Sequence, residues 1–384
     1  MKVLFLIDSL QGSGAERSLV DIAINFTQIE PIFVHIYEGS MLKEDLENKG
    51  IKVYSLNLSR SSSYKDAVKV LVPIYLQEQP DVVHSTLYNA DMIARKLKSQ
   101  FPEIPLVGSF VNNSYTPLRY RNKSIVMKLK LWRAYLLDKV SSKKVDFFIS
   151  NSQTIKQSEG NALSVPFDKI EVIYRGRNVE RFENINCDKV EKLVQEYNLE
   201  GKNVLLNVSR LIERKAQFDI IKALPAILKD FPNTILIFAG HGNQEVYLRD
   251  LAKSLNVENN TIFLGRSTNV PELLHLSDLF VYASYAEGLP GALIEAMMSE
   301  KIIIASNIGE NLECVDQESA LIFEKGNVAE LTEKILYALK NKEQLTVLGK
   351  EAKTQAIQKF DINIISRKYE DRYSKIVSNS KKHA

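Results

Sequence analysis

Apolar positions along this chain fall into short, β-branched runs separated by longer stretches with helical spacing. The runs predict strands at 2–7, 32–36, 53–56, 82–84, 106–109, 147–150 and 170–173. A second series is predicted at 204–208, 235–239, 262–264, 279–283 and 302–305. Helical patterns fill most of the gaps, and this rhythm predicts parallel sheets with helices on both faces. One sheet of about a dozen strands would exceed what open twisted sheets usually hold. The expectation is therefore α/β with two Rossmann-like domains. The first is expected over 1–178 and the second over 200–359, with a charged and polar linker over 179–199. A last helix is expected over 360–380, carried by Ile362, Ile364, Ile365, Tyr369 and Tyr373, and Ser380 to Ala384 reads as a loose tail.

A length of 384 residues fits two domains better than one. The hydrophobic share of 45% and charged share of 25% are those of a soluble globular protein, and a net charge of +3 is too mild to imply nucleic acid. Cys187 and Cys314 form no metal-type cluster. The apolar opening run ends at Asp8 without a small-residue cleavage site, so it reads as a first strand and not as a signal peptide. No run reaches the roughly eighteen apolar residues of a membrane span. The expected location is cytoplasmic.

The segment Tyr285 to Met297 carries the most chemistry. It follows a buried strand and contains Gly288, Leu289, Pro290 and Gly291, with Pro290 suited to the first helical position. Glu287 is expected in the loop and Glu295 more than a turn into the helix. Between them, backbone N–H groups at the helix start form a site for phosphate. One carboxylate can hold sugar hydroxyls and the other a ribose, which is the layout a nucleotide-sugar needs.

Other candidates lie at strand ends, where ligands collect in open α/β sheets. Arg210 lies just beyond one strand and Lys215 is expected at the start of the next helix; two cations there can neutralise a diphosphate. Ala239-Gly240-His241-Gly242 is a tight turn after another strand, and Arg266 follows a third. In the first domain, the turn Ser9 to Arg17 holds Gly12 and Gly14, which let the backbone approach a ligand closely. Arg17 stands where a dinucleotide fingerprint would have its third glycine, which counts against an NAD enzyme. His84 is expected at the end of the strand Asp81-Val82-Val83-His84, facing a cleft.

These segments resemble the retaining glycosyltransferases of family 4, which have the GT-B fold of two Rossmann-like domains facing a cleft. The seven residues between Glu287 and Glu295, the Gly-rich turn ending Gly14-Ala15-Glu16-Arg17, and Arg210-Leu211 followed by Lys215-Ala216 carry the resemblance. Ser13 and Ala216 stand where the family has glycines, and Tyr174-Arg175-Gly176-Arg177-Asn178 replaces its usual N-G-hydrophobic-D run. The resemblance implies that Glu287 contacts the donor sugar and Glu295 the ribose. It implies that Arg210 and Lys215 hold the leaving diphosphate, that His84 sits near the sugar, and that the last helix crosses back onto the first domain. It also implies donor contacts from Gly14, Arg266 and residues 288–291.

The reading that follows is transfer of a sugar, with retention, from a nucleotide diphosphate donor, leaning to a UDP-sugar. The acceptor would be a hydroxyl of a glycan or lipid-linked molecule in surface-polysaccharide assembly. No D-x-D occurs, and neither a metal nor a cofactor is expected. A nucleotide-sugar 2-epimerase of the same architecture and an inactive nucleotide-sugar binding module are the alternatives. Between residues 119 and 144, Arg119, Arg121, Lys123, Lys128, Lys130, Arg133, Lys139, Lys143 and Lys144 face only Asp138, with Trp132 and aliphatic residues interleaved. A helix of that composition is either a solvated basic face or an anionic-membrane contact that would make the protein peripheral on the inner face of the cytoplasmic membrane.

Overall fold

The computed structural model describes residues 1–120 and 123–381, so Arg121 of the basic stretch lies outside the described residues. The chain divides into two compact units, Met1–Arg177 with Ile362–Ala384, and Asn178–Asp361.

The first unit is built on seven strands: β1 (Lys2–Ile7), β2 (Glu30–His35), β3 (Lys52–Ser55), β4 (Val82–Thr86), β5 (Leu106–Phe110), β6 (Phe147–Ser150) and β7 (Ile170–Val172). They pair in parallel in the order β3-β2-β1-β4-β5-β6-β7. Val3, Phe5 and Ile7 pack on one face of this sheet, and Leu4 and Leu6 on the other. This is the alternation that a pleated strand imposes. The helix Ile362–Lys381 covers the first of those faces, placing Ile362, Ile365, Tyr369 and Tyr373 in its core. Their spacing of three or four residues makes a single buried stripe. Ser380, expected in a loose tail, belongs to this helix.

The second unit holds β8 (Asn203–Val208), β9 (Thr234–Ala239), β10 (Thr261–Gly265), β11 (Leu279–Tyr282), β12 (Ile302–Ser306) and β13 (Leu321–Phe323). They form a parallel sheet in the order β10-β9-β8-β11-β12-β13. The expected linker over 179–199 is not one. Asn186 caps a helix, Cys187–Glu196, by accepting from Lys189 N–H at 3.0 Å. Leu193 of that helix is buried, and Lys189 reaches Glu272 at 3.9 Å on the helix Val270–Leu276. Its many charges disguised a packed amphipathic helix as a tether.

Candidate active site

Strand order reverses in the second unit between β8 and β11, which are adjacent in the sheet but separated by β9 and β10 in the chain. The loops beyond their carboxyl ends therefore lie at a topological switch point, where ligands collect in open α/β sheets. The loop after β8 carries Arg210, Arg214 and Lys215; the loop after β11 carries Glu287. Lys215 does not start a helix, as its sequence position suggested. It ends a 3₁₀ turn, Glu213–Lys215, and the chain then passes through Ala216 at φ +52° before the helix Gln217–Asp230 begins. A side chain in that left-handed region costs about 1–2 kcal/mol, so replacing a glycine there is less conservative than it reads.

That turn aims Lys215 inward. Its Nζ donates to the Tyr282 hydroxyl at 2.9 Å and to Glu287 Oε1, and Tyr282 donates to the same Oε1 at 2.8 Å. All three side chains are buried. Arg214 donates to the Ala286 carbonyl at 2.8 Å, and Tyr285 N–H returns a bond to the Arg214 carbonyl at 2.8 Å. The two loops are thus stitched together. Burial by itself would raise the Glu287 carboxyl, but the ammonium of Lys215 and the guanidinium of Arg214 outweigh it and hold the group below the usual carboxylate range. Burial lowers Lys215, Glu287 opposes that, and Arg214 and Arg210 lower it further. Two cations therefore act on Glu287 and a third, Arg210, acts on Lys215, so the cluster favours an added anion.

Two glycines position Arg210. A Cβ on Gly240 would lie 1.8 Å from the Ser209 carbonyl oxygen, and one on Gly242 2.1 Å from that of Leu211. The turn at 240–242 is packed on the backbone either side of Arg210, with Leu211 N–H donating to the His241 carbonyl at 3.0 Å. His241 is exposed, and its backbone makes the contact. Arg266 is exposed just past β10.

The helix after β11 runs Gly291–Met298, with Pro290 as its cap and not its first residue. Gly288, Leu289 and Pro290 are buried, Gly291 is half-buried, and Glu295 is half-buried in the second turn. Sequence reasoning missed Tyr282, whose hydroxyl joins the pair, and Glu310. The latter is buried on the short helix Gly309–Leu312, where burial raises its carboxyl while a Glu287 backbone hydrogen bond opposes that rise. Tyr282 looked like core, and Glu310 follows a strand in a run with no distinctive spacing.

In the first unit Gly14 begins the helix Gly14–Ala23 and is exposed. A Cβ there would lie 3.4 Å from Arg175 Nη1. Arg177 is buried and donates to the Gly176 carbonyl at 2.9 Å. Glu16, in the same turn, accepts from Ser9 Oγ and Ser13 N–H, both at 2.7 Å, and so shapes the loop. His84 departs from expectation. It sits in the middle of β4 with no exposed surface; Nδ1 pairs with Tyr373 Oη at 2.5 Å and Nε2 with Ser109 Oγ at 2.6 Å. Burial pushes it down to about 3, so it is a neutral core histidine and faces no ligand surface.

No local pattern in the chain pointed to a polar cavity of about 160 Å³ in the first unit, lined by Asp91, Arg95, Ser109, Asn112, Arg119 and Glu159 among others. Arg95 pairs with Asp138, and its Nε has no partner among the described residues. Burial pushes Asp91 and Glu159 each up to about 7. Because the folded values exceed the unfolded ones near 4, the unfolded chain releases these protons first. Stability is full below about pH 4 and falls as pH rises to about 7. Asp91→Asn is expected to raise stability at pH 8 by on the order of 2–4 kcal/mol and to change it little at pH 4. Urea denaturation at both pH values tests this; an equal effect at each would refute it.

Two family models match the chain. "Glycosyltransferase Family 4" covers residues 12–181, and "Glycosyl transferases group 1" covers 189–355. The chain belongs to the family 4 glycosyltransferases of the GT-B fold. It is 27% identical to an uncharacterized glycosyltransferase of Methanocaldococcus jannaschii over 43% of this chain and 40% of that protein, so the match spans less than half of that relative. It is 25% identical, over 91% of this chain and 92% of the relative, to the N,N'-diacetylbacillosaminyl-diphospho-undecaprenol alpha-1,3-N-acetylgalactosaminyltransferase of Campylobacter jejuni. Among solved structures, Anabaena HepE in complex with UDP-glucose superposes with a TM-score of 0.84 at 22% identity, covering 98% of this chain and 100% of that one, a likeness of fold.

Proposed function

We propose that this chain is a retaining, metal-independent glycosyltransferase that moves a hexose or N-acetylhexosamine from a UDP-linked donor to a hydroxyl of a lipid-linked glycan. Its place would be surface-polysaccharide assembly at the inner face of the cytoplasmic membrane. The observation that carries the reading is the excess of cations at the β8–β11 switch point. Lys215 and Arg214 act there on Glu287, and Arg214 and Arg210 act on Lys215. A diphosphate would neutralise that excess, and the start of the helix Gly291–Met298 adds backbone donors for it. As the bond to the anomeric carbon breaks, negative charge grows on the leaving phosphate, where the same groups lower the barrier. Glu287, held ionised, is assigned to the sugar hydroxyls and Glu295 to the ribose. Arg266 is assigned to the donor's base. His84 takes no part.

Retention is assigned to a front-face path in which the leaving phosphate receives the acceptor's proton. The UDP and UDP-glucose named for HepE and the lipid diphosphate acceptor named for the Campylobacter relative support the choice of donor and acceptor class. The first unit's polar cavity is assigned to the acceptor's hydroxyl groups. The test is saturation-transfer NMR with a panel of nucleotide-sugars against wild type and Glu295→Ala. One UDP-sugar is expected to bind selectively, with at least about tenfold weaker binding in the variant, as for loss of charged hydrogen bonds. Binding to none, or binding indifferent to Glu295, would overturn the reading. Product analysis with the selected donor separates transfer from 2-epimerisation, which would return an epimerised nucleotide-sugar without any acceptor.

A further inference from the structure

The helix Ile125–Ser141 has two faces of unlike purpose. One packs inward: Tyr135 donates to the Ala162 carbonyl at 3.0 Å, the Ala134 carbonyl accepts from Tyr88 at 3.3 Å, and Asp138 engages Arg95 and Tyr115. The other face carries Ile125, Leu129, Trp132, Leu136 and Val140, and Val126, Met127 and Leu137 are exposed outside it. The spacing of the first five, by four, three, four and four residues, aligns them in one stripe along the helix. That stripe points to solvent: Ile125 is 85% exposed, Leu129 63%, Trp132 52% and Val140 69%. Core-facing helices bury such a stripe, and a contiguous exposed apolar patch marks an interaction surface.

The charges choose the partner. Lys128 borders the stripe on one side, Lys130 and Arg133 on the other, and all three are exposed. Lys123 before the helix and Lys143 after it extend the positive charge. The helix's one acidic residue, Asp138, is buried on the inward face and paired. A protein partner, including a second copy of this chain with its near-balanced charge, would have to bring its own dense acidic rim. An anionic bilayer supplies both an apolar interior for the stripe and phosphates for the lysines.

We infer that the helix Ile125–Ser141 docks this protein in the plane of an anionic lipid bilayer, with Ile125, Leu129, Trp132, Leu136 and Val140 entering the acyl boundary and the flanking lysines and arginine on the headgroups. The inference rests on the exposed stripe and its charges and not on the transfer reaction, although it meets that reading's demand for a membrane-held acceptor.

Trp132 is the protein's single tryptophan and lies in the stripe, so its fluorescence reports docking directly. Titration with phosphatidylglycerol-containing vesicles at low salt is expected to shift its emission to the blue and to co-sediment the protein. Pure phosphatidylcholine vesicles should do neither, and added salt should weaken both effects. Ile125→Ser with Leu129→Ser keeps the probe and alters only exposed side chains. It is expected to weaken vesicle binding by at least about tenfold, with an unchanged circular dichroism spectrum. Lys128→Glu with Lys130→Glu should weaken binding to the anionic vesicles alone. Absence of the shift and of co-sedimentation on anionic vesicles would overturn the proposal. So would a concentration-dependent blue shift without lipid, accompanied by a dimer mass, since a second copy would then own the stripe. Nucleotide-sugar binding should persist in the Ser variant, so failure here and failure of the transferase reading are separable.

Discussion

Lys215→Ala is expected to lower turnover with the selected donor by about 10²–10³-fold, the range for removing one preorganised donor to a developing anion. The same change should destabilise the second unit. It leaves Glu287 buried beside Tyr282 without its cation, and an uncompensated buried charge costs about 3–5 kcal/mol. The two effects can be parted. Lys215→Met combined with Glu287→Gln removes both charges at once, and replacing a buried pair jointly is often neutral for stability. The double variant should therefore unfold in urea close to wild type while remaining inactive. Single-turnover rates and urea midpoints for the set decide the matter. Undiminished turnover in a folded Lys215→Ala protein would remove the residue from the mechanism. A double variant as unstable as the single would mean that the packing around Tyr282, and not charge balance, holds these loops together.

How much of this was legible in sequence depends on the reach of the signal. Runs such as Val204–Val208 and Leu279–Tyr282 are apolar and β-branched over several residues, and they became strands within a residue or so of the expected bounds. β13 is three residues long and too short to show a period, so it was missed. Glu287 and Lys215 were legible as candidates because each follows a buried strand. Their mutual contact was not, because it depends on β8 and β11 being neighbours, which is a property of strand order. Tyr282 and Glu310 carried no local cue for the same reason. His84 was misplaced because Ser85 and Thr86 look like the start of a loop. Both are buried strand residues, Ser85 donating to Asp91 at 2.6 Å and Thr86 to Ser109 at 3.0 Å. Polar side chains with internal partners do not end strands. The cavity in the first unit draws its lining from positions between Leu87 and Leu163, and only the fold collects them.

A chain ending at Asp361 is expected to lose the first unit altogether. The removed helix contributes Ile362, Ile365, Tyr369 and Tyr373 to the core on one face of the first sheet, all buried. Burying four such side chains stabilises by about 6–12 kcal/mol, which is comparable with the whole stability of a typical domain. Polar ties go with it. Glu370 accepts from the N–H groups of Thr27 and Gln28, both at 2.6 Å, and Ser366 donates to the Ile22 carbonyl at 3.1 Å. Hydrogen-exchange mass spectrometry should find β1, β2 and β4 unprotected in the truncated chain while β8, β9 and β11 keep their protection. Point variants grade the effect. Tyr373→Phe keeps the ring but leaves His84 Nδ1 buried without its partner, at a cost of about 1–3 kcal/mol. Tyr373→Ala adds a cavity and should cost about 3–5 kcal/mol. Because His84 is neutral in the fold and charges near pH 6.5 when unfolded, its contribution is present above that pH. It is lost as pH falls toward the folded value of about 3. This trend opposes that of Asp91 and Glu159, so it is read as a difference: as pH falls from about 6.5 toward 3, a His84→Gln variant should gain stability relative to wild type. Full protection of β1 and β4 in the truncated chain would show that the helix is an accessory and not part of the first unit's core.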